Sequence, residues 1–210
     1  MTRVLIADDH AVVRQGLRQI LAHTDDLTLA GEAQSGQQVL QLLEEDDFDV
    51  VVLDISMPGS SGLDILGRLK EMRPGPRVLV LSIHPEDQYA MRVLRAGADG
   101  YLTKEAAPDE LVAAIRKVAR GGKYVSSSLA ERLAQELESE GRGMPYQALS
   151  NREFEVLRLI ASGNTISDIA DEMGLSVKTI STYRSRILDK LGLRNNLQIV
   201  RYALQHGLTD

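Results

Sequence analysis

The stretch that most constrains this chain is a short apolar run that ends on a carboxylate, Val50-Val51-Val52-Leu53-Asp54. It predicts a fully buried parallel strand, because a half-buried strand would alternate with polar residues and a helix would need greater length. In open α/β sheets, ligand chemistry collects at the carboxyl ends of the strands, which makes Asp54 a candidate site residue. The alternative, in which Asp54 only caps the turn at Pro58-Gly59, stays open at this point.

The first 120 residues alternate between strand and helix patterns. The predicted strands lie at about 3–7, 27–33, 50–54, 77–81 and 100–102, and the predicted helices at about 11–22, 35–44, 61–72, 85–95 and 108–120. Five alternations imply right-handed βαβ crossovers and one parallel sheet covered on both faces. We therefore predict a flavodoxin-like, doubly wound α/β domain over residues 1–120, with Gly121-Gly122 ending its last helix.

The remainder of the chain is predicted to be helical. Residues 121–148 are predicted to form a linker that contains a helix at 126–137 and a polar, glycine-rich tether at 138–145. Beyond the linker, helix-capping residues and one glycine turn give the spacing of a helix-turn-helix; they are Ser150 with Glu153, Thr165 with Asp168, Gly174, and Ser176. We therefore predict a second, all-α domain of four helices over residues 149–210.

Composition limits the compartment and the partners. The chain has no cysteine, which excludes disulfides and thiolate metal sites and fits a reducing compartment. Strand-like residues begin at Val4 without a basic, apolar leader before them, so we expect a cytoplasmic protein with no membrane association. The net charge is −6, yet residues 149–210 carry 8 lysines and arginines against 7 acids, so local charge patterning matters more than the total.

Three acids at strand ends suggest a metal site. If the first and third strands are neighbours, Asp8, Asp9 and Asp54 converge, and three carboxylates repel one another unless a cation neutralises them. Oxygen ligands without histidine or cysteine favour Mg²⁺. The alternative for Asp8 and Asp9 is capping of the helix that follows them.

Ser82 and Lys104 follow two further strands and are predicted to reach the same edge of the sheet. Taken singly, each is explained by a turn residue or a solvated lysine. Taken together with a carboxylate nucleophile and a metal, a hydroxyl and an ammonium form the set that transfers a phosphoryl group onto a carboxylate and holds it there.

These positions, with Tyr101 and Met57-Pro58-Gly59, closely resemble the receiver domain of two-component response regulators. The C-terminal part resembles the LuxR-type helix-turn-helix, most clearly at 149–153, Thr179-Ile180 and Lys190-Leu191. Together the two parts resemble the NarL/FixJ branch over essentially the whole chain. The resemblance implies transcriptional regulation controlled by a sensor histidine kinase.

The resemblance also implies a role for each site residue. Asp54 would be the phosphoacceptor, and Asp8 and Asp9 would bind Mg²⁺ together with Asp54 and the Ser56 carbonyl. The phosphoryl oxygens would be contacted by Ser82 and Lys104, and the switch aromatic would be Tyr101. The sequence departs from the family where Glu105 follows Lys104, a position that is proline in many receivers, and where Tyr183 replaces a frequent histidine.

Two other function classes are weighed against this one. A haloacid-dehalogenase-like phosphatase also forms an aspartyl phosphate, but it needs an acid two residues after the nucleophile, where this chain has Ser56. Without that acid we expect no enzyme turnover, only slow phosphorylation and dephosphorylation of Asp54 itself. A purely structural receiver would be favoured by loss of Asp54 or Lys104, and both are present.

The third helix of the second domain is the predicted DNA-recognition helix. It lies in a basic stretch of five lysines and arginines against one acid, which predicts phosphate contacts, although a solvated helix face is the alternative. At about 100° per residue, Ile180 and Ile187 face the core with Val177 beside them. The predicted base-contacting residues are Lys178, Ser181, Thr182 and Ser185.

Arg186 and Lys190, nearer the end of that helix, are predicted to contact phosphates. No role is assigned to Tyr183 or Arg184. Because helix-turn-helix modules usually bind paired half-sites, we expect a homodimer on double-stranded promoter DNA when the protein is phosphorylated.

Overall fold

The computed structural model describes residues 1–57, 62–72, 74–106, 108–138 and 145–208. Its contacts divide the chain into two compact units, Met1–Gln135 and Glu136–Asp210. The predicted Pro58-Gly59 turn and residues 139–144 of the predicted tether lie outside the described residues. Within those that are described, no helix has the length and apolar character that crossing a membrane requires.

The first unit alternates strands and helices as the sequence predicts. Its elements are β1 (Thr2–Ala7), α1 (Ala11–Ala22), β2 (Leu27–Ala33), α2 (Gly36–Glu45), β3 (Val50–Leu53), α3 (Gly62–Glu71), β4 (Arg77–Ser82), α4 (Glu86–Arg95), β5 (Gly100–Thr103) and α5 (Pro108–Ala119). The described strands form one parallel sheet in the order β2-β1-β3-β4-β5. The predicted doubly wound α/β fold is confirmed.

The sheet has a core on each face because successive side chains of a strand point to opposite sides. On one face, Val4 of β1 and Val52 of β3 belong to the same buried cluster as Leu17 of α1 and Ile115 of α5. All four residues of β3 are buried, which accounts for the unbroken apolar run in the sequence. The carboxyl end of β3, in the middle of the sheet, is therefore held rigidly.

The segment after α5 differs from the predicted linker. Gly121 ends α5 with a φ of 84°, as expected, but the following residues do not leave the sheet. The Tyr124 N–H donates to the Asp99 carbonyl at 2.9 Å, and the Tyr101 N–H donates to the Tyr124 carbonyl at 3.1 Å. Because β5 is the edge strand, its free backbone groups bind this segment, and α6 (Ser127–Glu138) begins only after it.

The second unit is helical throughout its described part. It contains a 3₁₀ helix (Pro145–Ala148) followed by α7 (Asn151–Ala161), α8 (Ile166–Met173), α9 (Val177–Leu191) and α10 (Asn196–Gln205). The predicted capping boxes at the starts of α7 and α8 and the Ser176 cap of α9 are confirmed. Gly174 turns the chain between α8 and α9 with a φ of 61°, which a residue with a side chain adopts only with strain.

Candidate functional site

Three acids meet at the carboxyl ends of β1 and β3. The two strands are paired, and the Asp54 N–H donates to the Ala7 carbonyl at 2.8 Å, so Asp54 lies beside Asp8. Both side chains are almost completely buried. Asp9 is partly exposed, and one ligand atom from each acid and from His10 lies within 4.8 Å of the others. The predicted convergence of the three carboxylates is confirmed.

Lys104 binds two of these carboxylates. It follows β5, and its Nζ lies 2.6 Å from Asp8 Oδ2 and 2.7 Å from Asp54 Oδ2. Burial raises the pKa of Asp54, and the hydrogen bond from Lys104 offsets only part of that effect. Burial would lower the pKa of Lys104, but its hydrogen bonds to both aspartates raise the pKa above its ordinary value. Lys104 is therefore a fixed positive charge at the acidic cluster.

Ser56 contacts Asp54 through its backbone. The Ser56 N–H donates to Asp54 Oδ1 at 2.8 Å, which orients the carboxylate. The Ser56 side chain is exposed, and its Oγ lies 3.3 Å from His84 Nε2. The position that would hold a general acid in a phosphatase thus carries a serine that faces a histidine.

Ser82 and Tyr101 are joined through one residue, His84. The Ser82 Oγ is buried and accepts a hydrogen bond from the His84 N–H at 3.1 Å. The Tyr101 ring is also buried, and its hydroxyl donates to the His84 carbonyl at 2.8 Å. Ser82 and the Tyr101 hydroxyl are therefore linked by two hydrogen bonds through the backbone of His84.

Two histidines near the site were missed by sequence reasoning. His10 donates its N–H to Asp8 Oδ1 at 2.8 Å, and its Nδ1 lies 3.0 Å from Asp9 Oδ1. The His84 ring stacks on Tyr89 at 4.4 Å. Their positions could have indicated them, because His10 lies two residues after Asp8 and His84 lies two residues after Ser82, both at strand ends already predicted to form the site.

Helix α9 presents a polar face. Ile180 and Ile187 are fully buried, as predicted for the core side. The predicted base-contacting residues and both predicted phosphate-contacting residues are exposed; they are Lys178, Ser181, Thr182, Ser185, Arg186 and Lys190. Val177 differs from the prediction, since it is 51% exposed rather than packed against the core. The reason is its place in the first turn of α9, before the helix reaches its neighbours.

Lys190, the second predicted phosphate-contacting residue, forms an ion pair within its own unit. Its Nζ lies 2.7 Å from Glu153 Oε2 and donates to the Ala148 carbonyl at 3.3 Å. Burial would raise the pKa of Glu153, but hydrogen bonds from Lys190 and Ser150 lower it below its ordinary value. Lys190 thus pairs with a buried carboxylate at the start of α7, while 40% of its own side chain stays exposed. Arg184, left without a role above, donates from Nε to Asn196 Oδ1 and joins α9 to α10.

Comparison with known families decides what this arrangement belongs to. Residues 4–116 match the response regulator receiver domain, and residues 147–203 match the bacterial regulatory proteins of the luxR family. The chain is a response regulator of the NarL/FixJ family. It is a phosphorylation-dependent transcription regulator with a LuxR-type DNA-binding domain.

Relatives of this response regulator extend over its whole length. It is 35% identical to the response regulator UvrY of Escherichia coli K12 over 211 residues, which covers 100% of this chain and 97% of UvrY. It is 37% identical to the response regulator GacA of Pseudomonas aeruginosa PAO1 over 211 residues, 100% of this chain and 99% of GacA.

Solved structures of similar regulators include a DNA complex. RcsB of Salmonella enterica serovar Typhimurium, bound to the rprA promoter in the presence of the phosphomimetic BeF3-, matches with a TM-score of 0.67 and 29% identity, covering 96% of this chain and 97% of that chain. Another RcsB structure, from Salmonella typhimurium, matches with a TM-score of 0.71 and 28% identity, covering 98% of each chain.

Proposed function

We propose that Asp54 accepts a phosphoryl group from a sensor histidine kinase and thereby controls binding of this response regulator to promoter DNA. The observation that carries the proposal is the position of Lys104 Nζ, within 2.7 Å of both the Asp8 and Asp54 carboxylates. A buried carboxylate beside a fixed cation is the arrangement in which a nucleophile and the charge of a phosphoryl group are stabilised together.

The transfer needs only positioning and charge stabilisation from this chain. An Asp54 oxygen forms a bond to phosphorus while the bond from phosphorus to the kinase imidazole nitrogen breaks, and that nitrogen keeps the electron pair. The Ser56 N–H holds the carboxylate in place at 2.8 Å. Lys104 and the Ser82 hydroxyl are proposed to contact the phosphoryl oxygens, and Tyr101 is proposed to change its packing when Ser82 moves.

The acidic cluster fits Mg²⁺. Asp8, Asp9 and Asp54 supply oxygen ligands whose atoms lie close enough to share one ion, and the Ser56 carbonyl is proposed as a further ligand. When bound, Mg²⁺ neutralises the carboxylates and the negative charge of the incoming phosphoryl group. His10, with its Nδ1 3.0 Å from Asp9 Oδ1, is proposed to orient that carboxylate.

The acyl phosphate is proposed to persist rather than turn over. Ser56 stands where a phosphatase of the competing class has its general acid, so this chain supplies no proton to a leaving group at that position. The phosphorylated form is then long-lived enough to act as a signal in the cytoplasm, as a homodimer on paired DNA half-sites.

Helix α9 is proposed to enter the major groove. Its exposed face offers Lys178, Ser181, Thr182 and Ser185 to base edges and Arg186 to phosphates. We add Val177, whose exposed methyl groups suit contact with a thymine methyl, and we omit Lys190 because of its ion pair with Glu153. The RcsB structure on promoter DNA supports this use of the LuxR-type domain.

Phosphorylation with a small phosphodonor and Mg²⁺ tests the acceptor. Intact-mass measurement is expected to show one added phosphoryl group on the wild type and none on Asp54→Asn. Omission of Mg²⁺, or Asp9→Ala, is expected to abolish or strongly slow the mass gain. Equal labelling of the wild type and Asp54→Asn would place the acceptor elsewhere.

A further inference from the structure

The segment after α5 is fastened to the α/β unit at two ends, and we call residues 122–129 the strap. At the first end, Lys123 Nζ lies 3.1 Å from Asp99 Oδ1 and donates to the Ala98 carbonyl at 2.7 Å. Asp99 is itself buried and accepts hydrogen bonds from Lys70 and from the Val78 N–H. This network lies where β4 and β5 begin, at the sheet edge opposite Asp54, so phosphorylation has no direct route to it.

The close approach of the strap to β5 depends on a glycine. Gly100 forms a parallel bridge with Tyr124, and a Cβ at Gly100 would lie 2.9 Å from the Tyr124 carbonyl oxygen. Real Cβ atoms do not approach backbone that closely, so the strap lies in a space that only a missing side chain leaves open. The first end is therefore a built attachment, held by backbone pairing and by an ion pair.

The second end is held by Glu86, the first residue of α4. The Ser126 hydroxyl donates to Glu86 Oε2 at 2.5 Å, and the Ser128 hydroxyl donates to the same oxygen at 3.4 Å. Ser126 Oγ also accepts a hydrogen bond from the Leu129 N–H at 3.1 Å, which caps the first turn of α6. The Leu129 side chain is 2% exposed. The start of α6 is thus held by a carboxylate that belongs to α4.

This second end is connected to the acceptor by a short loop. Glu86 is four residues after Ser82, and the intervening loop is bound at both ends of His84, whose N–H donates to Ser82 and whose carbonyl accepts from Tyr101. Because the His84 backbone is hydrogen-bonded on both sides, we expect a displacement of Ser82 toward a phosphoryl group on Asp54 to shift this loop and the first turn of α4.

We propose that the Glu86–Ser126 contact is a release point through which phosphorylation of Asp54 detaches the first turn of α6 from α4. The Asp99 end of the strap stays attached, so the change is confined to the start of α6. This inference rests on the proposed role of Asp54 as acceptor. If phosphorylation breaks the contact, then a chain that already lacks the contact does not have to break it. By linkage, phosphorylation of such a chain is therefore favoured relative to the wild type.

Hydrogen exchange on the full chain tests the release. The reporters are the amides of Leu129 and Ala130, which donate to Ser126, and the reference amides are those of Asp99 and Tyr124. Phosphodonor and Mg²⁺ are expected to speed exchange of the reporters about fivefold in the wild type, a loss typical of one helix cap, and to leave the reference amides unchanged.

Two variants and a control distinguish loss of the Glu86–Ser126 contact from a general loss of stability. Glu86→Ala, which removes the acceptor, and Ser126→Ala, which removes the hydroxyl donor, are each expected to exchange faster at the reporters without phosphodonor and to gain little more when it is added. Ser126→Ala also removes the oxygen that caps Leu129, so in that variant only the Ala130 amide, which donates to the Ser126 carbonyl, is compared. Glu44→Ala, at an exposed position on α2, is the matched control and is expected to behave as the wild type. Unchanged reference amides show that each variant is folded.

Intact mass is measured on the same samples. A wild type that gains a phosphoryl group without any change at Leu129 and Ala130 overturns the release mechanism and leaves the proposed function standing. Unphosphorylated Glu86→Ala with wild-type exchange at these amides also overturns it. A wild type that gains no mass at Asp54 overturns the proposed function, and this inference with it.

Discussion

The Lys104 ammonium lies 2.7 Å from the Asp54 carboxylate, with only 10% of the lysine side chain and 1% of the aspartate side chain exposed. The same ammonium lies 2.6 Å from Asp8. One cation therefore balances two buried anions, and the cluster keeps a net negative charge. The stability of the folded unit consequently depends on each charge in the cluster.

Removal of that cation is expected to destabilise the α/β unit. Lys104→Ala leaves Asp8 and Asp54 buried without a partner and should lower the free energy of unfolding by about 3 kcal/mol at pH 7 without Mg²⁺. Lys104→Arg, which keeps the charge, should retain most of the stability. Urea denaturation of the three proteins measures this, and a loss below about 1 kcal/mol would mean that the pair behaves like an exposed one.

Neutralising the acceptor is expected to have the opposite effect. Burial raises the pKa of Asp54 in the folded state above its unfolded value of 3.8. The folded state is therefore favoured below that value, and this contribution is lost as the pH rises through the folded-state pKa. At pH 7 without Mg²⁺, Asp54→Asn should melt at a higher temperature than the wild type. Below pH 3.8 the two melting temperatures should converge.

Mg²⁺ should reverse that order. The ion is proposed to bind the folded acidic cluster, so it is expected to raise the melting temperature of the wild type more than that of Asp54→Asn or Asp9→Ala. Thermal denaturation over a Mg²⁺ series, with a chelator control, measures the difference. Equal stabilisation of all three proteins would place the ion elsewhere.

The helical unit is expected to lose stability in acid through Glu153. Hydrogen bonds from Lys190 and Ser150 hold the pKa of this buried carboxyl below its unfolded value of 4.5. The resulting stabilisation is present above pH 4.5 and is lost as the pH falls through the folded-state pKa, because the unfolded chain takes up the proton first. Glu153→Gln should flatten this part of the curve. Lys190→Ala should also flatten the dependence of stability on pH in this range. An unchanged dependence in both variants would contradict a stabilising Lys190–Glu153 ion pair.

Helix α9 offers a test that separates base contacts from phosphate contacts. Lys178→Ala or Thr182→Ala should cost about 1 to 3 kcal/mol on the cognate site and relax sequence preference. Arg186→Ala should weaken all sequences alike and reduce the salt slope by about one. Lys190→Ala is the internal control, since its ion pair with Glu153 predicts lower stability with little change in that slope.

Binding to cognate and scrambled DNA over a salt series measures all four variants. If Lys178→Ala and Thr182→Ala still prefer cognate over scrambled DNA as strongly as the wild type does, α9 does not contact bases through this face. A salt slope lowered by Lys190→Ala as much as by Arg186→Ala would return Lys190 to the phosphate contacts.

The sequence by itself determined the features that depend on local pattern. Burial of β3 follows from its unbroken apolar run, and the starts of α7, α8 and α9 follow from Ser150, Thr165 and Ser176, because a cap acts on amides two or three residues away. Strand ends also identified Asp54, since parallel strands bring their carboxyl ends to one edge of the sheet.

Only the tertiary structure decided which of these groups touch. The lysine that follows β5 could have pointed to solvent, and its contact with Asp8 and Asp54 depends on the order of strands that are far apart in the chain. The same holds for Lys190, which pairs with the buried Glu153, and for Tyr124, which binds the free edge of β5. Such contacts are long-range: helical spacing and charge counts place a side chain on a face, but the neighbouring elements decide what it meets.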